Sequence, residues 1–215
     1  MPVSRERQEP RWHAASAVVA VLVIQVLLTP RLVPGPTLLL PGLEALLLIG
    51  LLVASPTLRA NNDRRVRLLA LVLVGVIAAV NAVTLVELVR RLLEGGLADG
   101  RTLLAAAAGV WLTNVMVFAL AYWELDRGGP HARLGDDPAR PDLLFPQDAD
   151  PVHAPPDWRP GFADYLFTSL TAATAFSPTD TMPLTARAKL LVGLQSLVSL
   201  LTVGLVAARA VNVLT

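Results

Sequence analysis

Few residues in this 215-residue chain are of a type that does covalent chemistry. There is no cysteine, which excludes disulfides, thiolate zinc sites and cysteine nucleophiles. His13, His131 and His153 stand in no metal-ligand spacing, and no His-Glu-x-x-His is present. Gly-x-Ser-x-Gly and phosphate-binding glycine loops are also missing. Asp126, Asp136, Asp137, Asp142, Asp148, Asp150 and Asp157 crowd one segment, but not at EF-hand spacing, and they read as solvated loop charge. An enzyme, a metal centre or a cofactor is therefore not expected. What stands out is a polar break in apolar text: Thr174, Ala175, Phe176, Ser177, Pro178, Thr179, Asp180. Hydroxyls, carbonyls and a carboxylate are the groups with which membrane proteins coordinate ions in a constriction.

The elements that would position this break are membrane helices. Hydrophobic residues make up 54% of the chain and charged residues 16%, with a mean hydropathy of +0.57. Soluble domains carry about 25% charged residues. The 18 basic and 17 acidic residues nearly cancel, which leaves no field to draw in nucleic acid. Only Lys189 is a lysine, and this arginine bias hints at a GC-rich bacterial genome.

A bilayer core needs roughly 20 apolar residues per helix. Five stretches qualify: 13–29, 37–55, 66–91, 102–123 and 185–213. The first has a basic start like a signal peptide, but no small-x-small site follows it, so it reads as a retained helix. The segment 125–160 holds eight prolines and cannot form a long helix or a central strand. After it, 162–176 is apolar but only about 22 Å long as a helix, too short to span comfortably. A half-length helix, a polar break and a full span form the pattern of a re-entrant loop.

From Thr168 to Leu191 the chain resembles the pore region of two-transmembrane potassium channels. Asp180-Thr181-Met182-Pro183 stands for their Asp-x-x-Pro, and Arg187 or Lys189 for the basic residue that follows. A longer resemblance, from about Asn62 to the C-terminus, is to a bacterial inner-membrane family of unknown function. It rests on Trp111, Val-Phe-Ala-Leu at 117–120, Tyr122, Glu124, Phe145-Pro146, Asp-Tyr-Leu-Phe at 164–167, Thr179-Asp180, Thr185-Ala186-Arg187 and Val211-Asn212. It implies an architecture rather than an activity. The channel filter's Gly-Tyr-Gly falls on Ser177, Pro178 and Thr179, and Pro178 fixes φ where the filter needs glycine freedom. A four-site potassium filter is therefore not expected. Ser177-Pro178-x-Asp180 equally suits a capped turn that starts a helix.

In the last span Gln195, Ser199, Thr202 and Arg209 fall within about 80° of one another. Such a stripe either lines a pore, with Gln195, Ser199 and Thr202 as lining residues, or makes hydrogen bonds between helices. Asn81 and Asn114 lie mid-span and are expected to pair with each other. Glu87 has Arg90 and Arg91 within a turn for a local ion pair, and Glu44 lies near enough to the start of its span to reach the headgroups. Thirteen basic residues fall on the side of the N-terminus and the long loop, against five on the other. The positive-inside rule thus places the re-entrant segment in the cytoplasm, whereas potassium channels have their pore loop outside.

The expected protein is all-α and polytopic, with five transmembrane helices and one re-entrant half-helix between the fourth and fifth. Residues 1–12 form a tail and 13–101 carry three spans. Residues 102–215 form a pore-loop-like module: a helix, the loop 125–160, the re-entrant helix 162–176 and a final helix 185–213. It reads as an ion channel or channel-like permease of the bacterial inner membrane, favouring cations and built as a homo-oligomer, with a tetramer as the expected ring. The alternative is a non-conducting scaffold or partner subunit.

Overall fold

The computed structural model describes residues 12–32, 39–54, 64–94, 100–134, 139–156, 158–174 and 180–214. The chain is mostly helical: α1 Trp12–Leu32, α2 Leu39–Ala54, α3 Arg64–Leu93, α4 Gly100–Leu125, α5 Pro146–Ala149, α6 Phe162–Thr174 and α7 Ala186–Leu214. Two short strands, β1 Leu143–Leu144 and β2 Met182–Pro183, pair antiparallel, with Leu143 opposite Pro183. Among the described residues, three stretches are long and apolar enough to cross a membrane: Arg65–Leu92, Leu104–Gly128 and Ala186–Ala207. Trp12–Leu27 and Pro41–Val53 are shorter apolar helices.

The helices alternate in direction. Ala14 and Val18 near the start of α1, Leu48 and Leu52 late in α2, Ala70 and Leu73 early in α3, and Leu120 and Trp123 late in α4 line one apolar cavity. That end of the bundle also receives the start of α7, where Arg187 donates to the Leu125 carbonyl at 2.9 Å. Val21 and Ile77 are fully buried where α1 and α3 meet α4, so the core runs along the bundle axis. The outer faces stay apolar as well: Leu46, Val53, Leu68, Val86, Leu190 and Leu200 are all exposed. A helix apolar on both its inner and outer faces suits a lipid surrounding.

Several local expectations shift. α1 runs through Pro30 to Leu32 rather than stopping at residue 29, because proline in a last turn removes a single hydrogen bond. Glu44 does not reach outward: it is fully buried against α1. Asn114 does not pair with Asn81; its amide donates to Ser199 Oγ at 2.9 Å and to the Gln195 carbonyl at 3.4 Å on α7. Glu87 does form its local pair, accepting from Arg90 at 2.7 and 2.9 Å and from Arg91 at 2.8 Å.

Candidate functional site

The site is built around α6. Its first turn carries Asp164, whose Oδ2 accepts the Gly161 N–H at 2.8 Å. Thr168, Thr171 and Thr174 return their hydroxyls to carbonyls one turn back, which satisfies the hydroxyl donors of three threonines within the helix. Tyr165, Thr168, Ser169 and Ala172 face inward, while Phe167 and Leu170 face outward.

The inward face is clasped between α4 and α7 by polar contacts. Ser169 Oγ donates to the Val115 carbonyl of α4 at 2.6 Å. Gln195 Nε2 of α7 donates to both the carbonyl and Oγ of Ser169 at 2.7 Å. Tyr122 of α4 closes the ring by donating its hydroxyl to Gln195 Oε1 at 2.5 Å. Ser196 Oγ donates to the Ala172 carbonyl at 3.2 Å. Ser169 lies seven residues beyond Phe162, so α6 descends about 10 Å into the bundle to reach this level. Thr181 Oγ1 meets Thr168 Oγ1 at 3.1 Å, and the chain is back at the loop end by Met182, paired with Leu144.

Thr174 is exposed at the last residue of α6, and Asp180 is exposed in the bend before β2. Ala175, Phe176, Ser177, Pro178 and Thr179 lie outside the described residues. Gln195, Ser199 and Thr202 are each no more than 2% exposed and lie inside the single chain, on the face of α7 that meets α4 and α6. Thr202 returns its hydroxyl to the Val198 carbonyl at 2.8 Å. The fourth member of the stripe, Arg209, has a side chain outside the described residues.

The entrance to α6 is held by a platform formed from 126–134, 139–156, 158–161 and β2, and here the acidic loop departs from expectation. Asp126 and Asp142 are not solvated: both are buried. Asp126 Oδ1 accepts the backbone N–H groups of Asp142 and Leu143 at 2.8 and 3.1 Å, and its Oδ2 accepts the Tyr165 hydroxyl at 2.6 Å. Asp148 pairs with Arg127 and accepts the Phe145 N–H at 3.1 Å. Arg133, itself buried, donates to the carbonyls of Trp123 and Asp126 and lies 4.9 Å over the Tyr165 ring. Phe145 packs edge-on against Tyr165 and Trp158. The turn off α4 needs glycine: Gly129 has φ +99°, and a Cβ there would sit 3.0 Å from the Glu124 carbonyl.

Asp142 joins loop to helix. Arg187 donates to both its carboxylate oxygens and Thr185 Oγ1 donates at 2.6 Å. The Arg187 guanidinium holds the Asp142 carboxyl below the usual carboxylate range, against the opposing effect of burial. A depressed folded-state pKa gives stability that is complete above the ordinary aspartate value of about 3.9 and is lost as pH falls through the lowered one. Thermal unfolding followed by near-UV circular dichroism is therefore expected to hold steady down to about pH 4 and weaken below it. Arg187→Ala should be weaker at neutral pH and show a flatter acid limb. Identical acid limbs would count against the pair.

With this geometry in view, comparisons with family models, curated proteins and solved structures find no match.

Five residues singled out in the sequence meet in space. Tyr122, Phe145, Tyr165, Thr185 and Arg187 all belong to the clasp or the platform. Sequence reasoning missed Asp126, Arg133 and Asp142. The available signal was an excess of arginine and aspartate in a proline-rich loop beside a half-length helix.

Proposed function

We propose that the chain is a five-span protein of the bacterial inner membrane in which α6 is a re-entrant half-helix. In this reading it assembles as a symmetric homo-oligomer, with a tetramer as the expected ring, and acts as an ion channel or channel-like permease. The observation that carries this is the course of α6: thirteen residues that descend between α4 and α7 from the loop end, with the chain back at that end by β2. Backbone that turns at membrane depth is tolerated where protein or a water-filled cavity surrounds it. Thr174 and Asp180 flank 175–179, and an exposed carboxylate repeated around an axis favours cations. With Gln195, Ser199 and Thr202 engaged inside one chain, the constriction is assigned to 174–180 rather than to the α7 stripe. The excess of basic residues at the loop end supports a cytoplasmic side for that end.

Purified protein reconstituted in liposomes is expected to pass monovalent cations, and Asp180→Asn to reduce the preference for cations over anions. Well-folded protein that passes no ion sinks the reading. It would favour a non-conducting scaffold or partner subunit. That second reading draws on the same interhelical bonds, since a stripe already used for packing offers no path. Cross-linking then yields monomers or a complex with a different protein, whereas a ring of identical chains counts against it.

A further inference from the structure

α1 and α2 pack side by side, and the contact encloses a carboxyl that the α6 site does not use. Glu44 is 0% exposed and Gln25 is also buried. Gln25 Nε2 donates to Glu44 Oε1 at 3.4 Å. The two other oxygens of the pair, Glu44 Oε2 and Gln25 Oε1, are buried and receive no hydrogen bond. An acceptor left unmet in the interior costs about 1–3 kcal/mol, and an unpaired carboxylate costs more.

Two orphaned acceptors on two groups joined by one N–H···O hydrogen bond describe a site that is short of one hydrogen. A proton on Glu44 Oε2 removes both orphans at once. The acid O–H donates to Gln25 Oε1 while the amide N–H donates to Glu44 Oε1, closing a ring of two hydrogen bonds. We propose that Glu44 and Gln25 form a proton-binding site inside the helix bundle, with Glu44 held as the carboxylic acid and the Gln25 amide as its partner. The proposal is independent of whether α6 conducts ions.

No neighbouring charge supplies a substitute for the proton among the described residues. α2 has no other titratable residue, and α1 has His13 at its opposite end and Arg31, whose side chain is not described. α3 carries charge only at Arg64, Arg65 and Arg67 and at Glu87, Arg90 and Arg91, the last two already on Glu87. α4 has Arg101 and Glu124 at its ends and Tyr122, which is spent on Gln195. An ionisable side chain kept in such a setting is a functional candidate in a membrane protein.

Dicyclohexylcarbodiimide, an apolar reagent that attacks protonated carboxyls, tests this on the full chain in detergent or liposomes. The Glu44 proton passes to a carbodiimide nitrogen, the carboxyl oxygen adds to the central carbon, and acyl migration leaves a stable N-acylurea with no leaving group. Mass spectrometry of the peptide carrying Glu44 should show the adduct at pH 7, with the labelling rate falling about tenfold per pH unit once the group titrates. Glu44→Gln should abolish the adduct. Gln25→Leu, which keeps the carboxyl but removes its partner, should change the pH at which labelling falls. The infrared carboxylic C=O band of wild-type protein at pH 7, absent from Glu44→Gln, gives a readout independent of reagent access. A missing band overturns the proposal, as does protection from labelling by sodium or lithium at pH 7, which would assign the three oxygens to a metal cation.

Discussion

Asp126→Ala is expected to open the platform and expose it to trypsin within an otherwise folded bundle. The carboxylate serves two backbone N–H groups and the Tyr165 hydroxyl, and Arg127 lies 3.3 Å from its Oδ2. Removing one side of a buried, charge-assisted network costs about 3–5 kcal/mol, because the donors left behind cannot reach water. The chain carries its own reporter. Exposed Arg140 and Arg159 each precede proline and resist trypsin, whereas Arg133 precedes Leu134 and is buried. Cleavage after Arg133 therefore measures opening. When opening equilibrates before cleavage, about 3 kcal/mol raises the rate roughly 100-fold. Asp126→Asn keeps an acceptor for one of the backbone N–H groups and should fall between the two. An unchanged digestion pattern in Asp126→Ala would show that the platform stands without this carboxylate.

Gln195→Leu is expected to weaken the clasp on α6 and to lower resistance to SDS unfolding by about 2–3 kcal/mol. Hydrogen bonds between membrane helices average about 0.6 kcal/mol, and three are lost here. The remainder comes from the Tyr122 hydroxyl, a buried donor that loses its Gln195 acceptor. Adding Tyr122→Phe removes that stranded donor, so the double variant should cost less than the sum of the singles. Strict additivity would mean that the two side chains do not act together. The same variant checks the assignment of Gln195 to packing: a residue that lines a path alters conduction at unchanged stability, whereas a clasp residue alters stability first.

The helical elements could be read in advance because their signal is composition over 16 to 30 residues, and α2, α3, α4 and α7 begin and end within a few residues of the apolar runs. The half-length of α6 was equally visible, since Pro160 and the 177–183 break bound it on both sides. What could not be read was the partner of each polar group. Asn114 and Asn81 looked like a pair by depth alone, but helix rotation turns Asn114 toward Ser199, 85 residues away. Asp126 and Asp142 looked like loop charge because their partners, Tyr165 and Arg187, lie 39 and 45 residues further on. Periodicity reports which face of a helix is buried. It carries no information on which helix covers that face.

The fastening of α7 bears on how the protein is made. Arg187 holds the Leu125 carbonyl and Asp142, and Gln195 holds Ser169, so groups that seat α6 are synthesised after α6 itself. Until they arrive, Ser169 has only α4 to lean on and Asp142 lacks its cation. The short helix is therefore seated in two steps, held by α4 alone until α7 has been made and clasped from both sides only afterwards.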